Sequence, residues 1–158
     1  LMVFVLAMVL CLDVKKRAQS KIDSVVGKDR LPTFEDRASL PYLDAVLRET
    51  FRWQPISPLG IPHATSSDDT YDGYFIPKGA IIMYNTWSNM FLTAFRHPNA
   101  SRFIPKRFID VDGALTNDDP AQYIFGFGRR VCPGRYTADT FVWSAHCDYV
   151  GHIGYLFC

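Results

Sequence analysis

One cysteine, Cys132, lies within the stretch FGFGRRVCPG, between a glycine- and arginine-rich run and a Pro-Gly pair. Proline is favoured at the first position of a helix, so Pro133 predicts that Cys132 lies near a helix N-terminus. The free N–H groups and the dipole at such a terminus favour a thiolate over a thiol. Arg129 and Arg130 add positive charge, and the neighbouring glycines let the backbone approach a flat or bulky group. The stretch therefore predicts a shielded thiolate that faces a large ligand.

The residue types around Cys132 are compatible with three roles. A cysteine of this kind is a buried structural side chain, a catalytic nucleophile, or a thiolate ligand of a metal or haem iron. A nucleophile requires a base, and the histidines at positions 63, 97, 146 and 152 lie in no recognisable partner motif. The local chemistry by itself leaves the structural and ligand roles open.

The elements that must position Cys132 are predicted to be mainly helical. The sequence DVKKRAQSKIDSVVG has apolar residues on one face and ends at Gly27, which predicts a helix with a glycine C-cap. The sequence LPYLDAVLRETFRWQP predicts a second helix, with Ser39 as its N-cap and Pro41 in its first turn. Its apolar stripe consists of Leu43, Val46, Leu47, Thr50 and Phe51.

A third helix is predicted after Cys132. The residues expected on its apolar face are Tyr136, Phe141, Val142 and Ala145. The first residues, LMVFVLAMVLCL, are too few to span a bilayer, which requires roughly 20 apolar residues. They also lack the basic segment of a signal peptide. We expect them to form a buried helix segment of a longer protein.

Short strands are predicted between residues 63 and 86. The sequence TYDGYFIPKGAIIMYN alternates apolar and polar residues, and Asp72-Gly73 and Lys78-Gly79 are typical turn pairs. This pattern predicts two or three strands in small hairpins. A loop rich in proline, aspartate and glycine follows, up to the cysteine stretch. The fold class is therefore mainly α with small β hairpins.

Composition limits the classes of protein that remain. The chain has 158 residues, 48% hydrophobic and 21% charged, which is ordinary for a single globular domain. Its net charge of +1 gives no support for a nucleic-acid partner. The four cysteines form no C-x-x-C pair, so reduced thiols are expected.

Residues 125–134 resemble the haem-binding signature of the cytochrome P-450 family, F-x-x-G-x-R-x-C-x-G, at every fixed position. Residues 49–52, ETFR, resemble the E-x-x-R motif of the family's K helix, and residues 103–108, FIPKRF, resemble its F-x-P-x-R-F motif. The resemblance, to fungal microsomal members in particular, covers residues 1–143, the C-terminal part of a complete domain. Residues 144–158 are interpreted as a divergent tail.

This resemblance implies a partial cytochrome P-450 fold, with the K helix, a small sheet, the meander, the Cys loop and the start of the L helix. It implies haem b as cofactor, with Cys132 as the axial thiolate ligand of the iron. Five further residues are implied in cofactor binding: Phe125, Gly128, Arg130, Gly134 and His63. It also implies a buried triad of Glu49, Arg52 and Arg107, although an i,i+3 Glu/Arg pair taken alone is usually a solvated surface pair.

The function implied is that of a haem-thiolate monooxygenase, which inserts one atom of O₂ into a lipophilic substrate. Electrons would come from an NADPH-dependent flavin reductase docked near Lys106, Arg129 and Arg135. The segment QPISPLGIP would line the substrate pocket, and the alternative is that its apolar residues are plain core. These residues are Ile56, Leu59 and Ile61. An endoplasmic reticulum membrane location is expected for the full-length relative.

Three departures from the family pattern support an alternative, a non-catalytic haem- or partner-binding remnant. The family's oxygen-activation motif is expected before residue 1. Residues 88–96 lack the usual H-x-P element, and after Trp143 the expected apolar helix is lost. A partial or mis-spliced gene product is the corresponding hypothesis. A zinc site in the tail is a further alternative, although the spacing of its ligand types matches no standard module. These residues are His146, Cys147, His152 and Cys158.

Overall fold

The computed structural model describes residues 1–88 and 99–153. Two helices begin the chain, α1 (Met2–Leu10) and α2 (Leu12–Val25), and Cys11 joins them. A 3₁₀ turn (Phe34–Ser39) precedes helix α3 (Pro41–Trp53). After the strands follow a 3₁₀ turn (Pro105–Phe108), the short helix α4 (Ala121–Ile124) and a 3₁₀ turn (Gly128–Arg130). Helix α5 (Arg135–Asp148) continues into a π-helical turn (Tyr149–Ile153).

The strands form two small antiparallel sheets, which confirms the predicted fold class. Strand β1 (His63–Ala64) pairs with β4 (Ile81–Ile82), and β2 (Asp69–Tyr71) pairs with β3 (Tyr74–Ile76). Four strands are thus present in the described residues, where two or three were predicted.

The turns between these strands lie where the sequence places them. Asp72 and Gly73 both have positive φ, 50° and 81°, as the tight β2–β3 turn requires. Gly79 has φ 84°, and the N–H of Ala80 donates to the Pro77 carbonyl at 3.1 Å. A glycine at this position is what a turn with positive φ at its third residue requires.

Helix α3 is the centre of the fold. Ten of its thirteen residues are buried, and it contacts α1, α2, α5 and the Pro105–Phe108 turn. The predicted apolar stripe is confirmed, as is Pro41 in the first turn. The predicted N-cap is wrong, because Leu40 occupies that position without a side-chain cap while Ser39 ends the preceding 3₁₀ turn.

The core is formed where α1, α2 and α5 pack on α3. Phe4 and Met8 from α1, Ile22 from α2 and Trp143 from α5 are all almost fully buried. The C-cap of α2 is Val26, one residue before the predicted Gly27, and Gly27 follows it with φ 86° and an N–H that donates to the Asp23 carbonyl at 3.2 Å.

Helix α1 is buried on one face only, so the expectation of a buried segment holds for that face and is wrong for the rest. Leu6, Val9 and Leu10 are 49%, 59% and 64% exposed. The helix is apolar all round, and its fully buried residues, Phe4, Ala7 and Met8, lie on one side. None of the helices in the described ranges is long and apolar enough to cross a membrane.

The apolar face predicted for α5 is wrong. Tyr136 and Phe141 are 70% and 71% exposed, and Val142 and Ala145 are only partly buried. The buried residues recur at i, i+3, i+4 and i+7, which is the spacing of one helix face. They are Trp143, His146, Cys147 and Val150. The helix crosses position 143 without interruption, and the division into residues 1–143 and 144–158 stays a prediction. Residues 89–96, in the segment without H-x-P, lie outside the described residues.

Candidate functional site

Backbone hydrogen bonds hold the stretch from Phe125 to Gly134 in a loop. The N–H of Cys132 donates to the carbonyl of Phe125 at 2.8 Å, and the carbonyl of Cys132 accepts from the N–H of Arg135 at 3.3 Å. Cys132 is a free, half-buried thiol. A Cβ atom on Gly134 would lie 3.9 Å from its Sγ, an ordinary van der Waals distance, so Gly134 lies directly beside the sulfur. The loop therefore presents one thiol at a fixed position.

The helix that follows begins later than predicted. Helix α5 starts at Arg135, and Gly134 is its N-cap. Pro133 is thus not the first helical residue, and Cys132 lies two positions before the cap. Cys132 therefore lies near the N-terminus of α5, as predicted, and the N–H of Arg135, the first helical residue, donates to the Cys132 carbonyl.

Aromatic rings surround the loop. Phe125 packs edge-on against Phe51 of α3, with centroids 6.1 Å apart. Phe127 is 49% exposed and contacts the Tyr84 ring at 4.9 Å and the Tyr123 ring at 6.5 Å. No pattern in the sequence points to Tyr84, which is about 40 residues from the loop along the chain and contacts it through tertiary packing.

Tyr84 also connects the Cys132 loop to the segment predicted to line a substrate pocket. A Cβ on Gly60 would lie only 2.9 Å from the Tyr84 carbonyl oxygen, and the Trp87 N–H donates to the Pro58 carbonyl at 2.9 Å. The structure thus holds residues 58–60 against residues 84–87, and Tyr84 contacts the loop. His63 pairs with Ile82 in the small sheet and is exposed.

The apolar residues of this segment lie outside the core that the described residues form. Ile56, Leu59 and Ile61 are 85%, 53% and 72% exposed. Gly128 has φ 55°, and a Cβ there would meet open space. The side chains of Arg129 and Arg130 are exposed and form no ion pair within the described part of the chain.

The structure brings Glu49, Arg52 and Arg107 together in the interior. Arg52 donates to both oxygens of Glu49, at 2.7 and 2.9 Å, and the two side chains are 1% and 0% exposed. The Nε of Arg107 lies 3.2 Å from the same carboxylate. Glu49 also accepts the backbone N–H of Ile104 at 2.7 Å, and Arg52 donates to the Arg102 carbonyl at 3.3 Å. The cluster therefore fastens residues 102–107 to α3.

Burial shapes the electrostatics of this cluster. Burial lowers the pKa of Arg107, Glu49 opposes that shift, and Arg52 adds to it. Arg48, on the same helix, donates to the carbonyls of Thr116 and Asp118 at 2.7 and 3.1 Å. Helix α3 thus holds the chain before the cysteine at two places.

His146 and Cys147 belong to the core. Neither nitrogen of His146 has a partner among the described residues, its ring stacks on Phe4 at 3.6 Å, and burial lowers its pKa to about 3. Burial also raises the pKa of Cys147 to about 12. Within residues 1–88 and 99–153, no three metal-ligating side chains form a group. Cys158 lies outside those ranges.

One cavity lies away from the cysteine loop. Its volume is about 730 Å³, and it lies between the α1–α2 junction, α3 and residues 101–106. Cys11, Arg17 and Tyr42 are among its lining residues, whereas Cys132 is not. Burial and Asp13 raise the pKa of Cys11, which favours its thiol form.

The family model of cytochrome P450 matches residues 1–140. Cytochrome P450 monooxygenase claR of Ampulloclitocybe clavipes is 52% identical over 138 residues, which are 87% of this chain and 25% of that protein. Cytochrome P450 monooxygenase 176 of Postia placenta is 50% identical over 141 residues, 89% of this chain and 27% of that protein. The O-methylsterigmatocystin oxidoreductase of Aspergillus flavus is 42% identical over 147 residues, 93% of this chain and 28% of that protein.

These similarities show that the chain belongs to the cytochrome P450 family, as its motifs predict. The chain spans about a quarter of the length of the curated relatives it matches. Membership of this family implies a haem cofactor.

The residues of the Cys132 loop have the chemistry needed to bind a haem. A thiol is a suitable axial donor for haem iron, and Cys132 is free and accessible. Phe127 offers an exposed apolar ring, and Arg130 an exposed cation for a carboxylate of the ligand.

Proposed function

We propose that this chain is the haem-ligating part of a cytochrome P450 monooxygenase, with Cys132 as the thiolate ligand of haem b. The observation that carries this proposal is the free, half-buried Cys132 thiol, held by its own backbone hydrogen bonds in a loop flanked by aromatic rings. When bound, the haem supplies the activation of O₂ for insertion of one oxygen atom into an organic substrate.

The chain's own residues have distinct tasks in this proposal. Cys132 donates electron density to the iron, and Gly134 lies directly beside its sulfur. Phe125 shields the loop on the side of α3, where it packs on Phe51. Arg130 and His63, which are both exposed in the structure, would hold the carboxylates of the haem.

The buried Glu49 cluster serves the same site at a distance. Glu49, Arg52 and Arg107 hold residues 102–107 on α3, and this fixes the chain that leads into the cysteine loop. The exposed residues Ile56, Leu59 and Ile61 face a lipophilic substrate in the whole protein. The contact of their segment with Tyr84, and of Tyr84 with Phe127, supports that assignment.

Electron delivery is proposed to come from an NADPH-dependent flavin reductase. Lys106 and Arg129 are exposed, and the Arg135 guanidinium stacks over the Tyr136 ring at 4.6 Å. These cations suit an acidic docking surface. The whole protein is proposed to act at the endoplasmic reticulum membrane, as the resemblance to fungal microsomal members suggests, and fractionation of the source cells tests this.

The experiment that tests haem ligation is reconstitution of the 158-residue chain with haemin, followed by the absorption spectrum of the reduced, carbon-monoxide-bound form. We expect a strongly red-shifted Soret band in the wild-type chain and its loss in Cys132→Ala. Cys11→Ala is the matched control, since Cys11 is another free, half-buried thiol. A band that is absent, or that survives in Cys132→Ala, would contradict thiolate ligation by Cys132.

A non-catalytic role as a haem- or partner-binding remnant is the second candidate. The exposed apolar residues of α1, Leu6, Val9 and Leu10, favour it, because they suit burial against another polypeptide surface. A red-shifted band without turnover, when reductase and NADPH are supplied, would support this alternative over the monooxygenase.

A further inference from the structure

A half-buried arginine, Arg37, joins three separate elements of the fold. It lies in the 3₁₀ turn before α3, and its Nε and Nη2 donate to Asp44 Oδ1 at 3.0 and 2.6 Å. Its Nη1 donates to Asp139 Oδ2, and its Nη2 to Asp139 Oδ1 at 3.2 Å. Asp44 is in the first turn of α3 and Asp139 is in α5, so one guanidinium bridges both helices.

Aromatic rings cover the guanidinium of Arg37. Its central carbon lies 5.3 Å from the Phe34 ring centre and 5.5 Å from that of Trp143. The two rings contact each other edge-on at 6.0 Å. A planar guanidinium suits this arrangement because it stacks on rings while its edge donates to two carboxylates.

The charges of this cluster depend on one another. Burial by itself lowers the pKa of Arg37, but the hydrogen bonds that Arg37 donates to Asp139 and Asp44 outweigh this effect and raise its pKa overall. Burial raises the pKa of Asp44, and Arg37 opposes that shift. Without Arg37, the carboxylates of Asp44 and Asp139 would face each other with their shared cation removed.

Asp139 lies close to the cysteine loop along the chain. The N–H of Ala138 donates to the Gly134 carbonyl at 2.9 Å, and the N–H of Arg135 donates to the Cys132 carbonyl at 3.3 Å. The first turns of α5 are therefore continuous with the loop. A residue that holds Asp139 against α3 therefore also holds the point at which the Cys132 loop enters α5.

We propose that Arg37 is a positioning residue for Cys132: by bridging Asp44 and Asp139, it holds the start of α5 on α3 and so fixes the downstream end of the cysteine loop. The Glu49 cluster holds the chain upstream of the same loop, at residues 102–107. As far as Cys132 is a haem ligand, this inference rests on the proposed function. Its structural part, the fixed thiol, does not depend on haem.

The experiment compares three variants of the 158-residue chain with the wild type. Arg37→Met removes the cation, Arg37→Lys retains it without the planar fork, and Asp139→Asn weakens the α5 contact while Arg37 and Asp44 remain paired. Arg30→Met is the matched control. Arg30 forms an ion pair with Asp36, which lies in the same 3₁₀ turn as Arg37, but the Arg30 side chain is 51% exposed.

Two measurements without haem come first. The first is the rate of alkylation of Cys132 in the apoprotein, measured by mass spectrometry of the peptide that contains it. We expect Arg37→Met to raise this rate by about tenfold and Asp139→Asn to raise it by a few-fold. Hydrogen exchange of the amides of residues 135–143 is expected to rise in parallel. Alkylation of Cys11, measured in the same samples, and all rates in Arg30→Met are expected to stay unchanged. Cys132 rates unchanged in both Arg37→Met and Asp139→Asn would overturn the proposal.

The third measurement is the reduced, carbon-monoxide-bound spectrum after reconstitution with haemin. We expect Arg37→Met to lose most of the red-shifted fraction of the Soret band and Arg37→Lys to recover part of it, at equal total haem. Equal red-shifted fractions in all variants would overturn the positioning role even if exchange rises. A wild-type chain without the red-shifted band would count against the proposed function alone, because the alkylation result would still decide whether Arg37 fixes the thiol.

Discussion

Arg52 and Glu49 form a bidentate ion pair on one turn of α3, with N–O distances of 2.7 and 2.9 Å and at most 1% of either side chain exposed. Such a pair lies in the interior only where its remaining hydrogen-bonding capacity is used, and here the backbone of residues 102–104 uses part of it. The pair thus connects helix α3 to the chain that leads towards Cys132.

Replacing Arg52 by alanine is expected to abolish haem incorporation and not merely to slow turnover. The substitution leaves the fully buried Glu49 carboxylate with the Ile104 N–H and the more distant Arg107, and breaking a buried pair in this way costs about 3–5 kcal/mol. The measurement is haem content after reconstitution, together with chemical denaturation of the apoprotein. Arg30→Ala, which removes an exposed ion pair, is the control and should leave the stability of the chain almost unchanged. Normal haem content in Arg52→Ala would contradict this prediction.

The sequence predicts those parts of the fold that local patterns determine. The stripe of α3 and the Asp72-Gly73 turn each depend on residues a few positions apart, and both are confirmed; Gly27, predicted as the C-cap of α2, lies one residue past it. The apolar face of α5 depends on which side meets α3, and no local pattern contains that information. Tyr136 and Phe141 are accordingly exposed against prediction.

The residues of the candidate site also differ in whether a sequence pattern predicts their contacts. A helical wheel places Glu49 and Arg52 off the apolar stripe of α3, so their burial becomes visible in sequence only through the family motif. Their partners lie 50 to 58 residues away along the chain. Arg37 and Asp139 are 102 residues apart, and no motif signals their contact. Contacts of this range arise from tertiary packing and are found only in the structure.

Gly60→Ala is expected to destabilise the contact between residues 58–60 and 84–87. Gly60 has φ 64°, and the added Cβ would lie 2.9 Å from the Tyr84 carbonyl oxygen, so the backbone must shift. Gly79→Ala is the matched control, since Gly79 has φ 84° but open space around its Cβ. We expect Gly60→Ala to cost about 1–3 kcal/mol more than the control. Hydrogen exchange of the Trp87 N–H, which donates to the Pro58 carbonyl, measures the effect locally. Equal exchange rates in Gly60→Ala and Gly79→Ala would contradict this prediction.

Charge reversal at the proposed reductase surface is expected to slow electron delivery. Arg129→Glu combined with Lys106→Glu removes exposed cations, and docking that depends on them weakens as salt rises. The measurement is the rate of haem reduction by the flavin reductase at low and high salt, in chain that shows the red-shifted band. We expect a loss of about tenfold at low salt that shrinks at high salt. Lys16→Glu, an exposed charge on α2, is the control, and an equal effect in that variant would argue against a local docking surface.

The buried imidazole of His146 is expected to make the fold sensitive to acid. Burial lowers its pKa in the folded chain to about 3, whereas an unfolded histidine has a pKa of about 6.5. The neutral form is therefore favoured by folding. Its stabilising contribution is complete above about pH 6.5 and is lost progressively as pH falls towards 3, at up to ~1.4 kcal/mol per pH unit. His146→Leu removes this titration and the ring nitrogens that lack partners among the described residues.

The measurement is the free energy of unfolding from pH 7 to pH 4 for the wild-type chain, His146→Leu and the exposed control His152→Gln. Carboxylates also titrate in this range, so the informative quantity is the difference between two curves. We expect the wild-type and His152→Gln curves to fall together and the His146→Leu curve to fall by a few kcal/mol less. Parallel curves for wild type and His146→Leu would show that His146 is already accessible to protons in the folded chain, because only a ring shielded from water titrates with a depressed pKa.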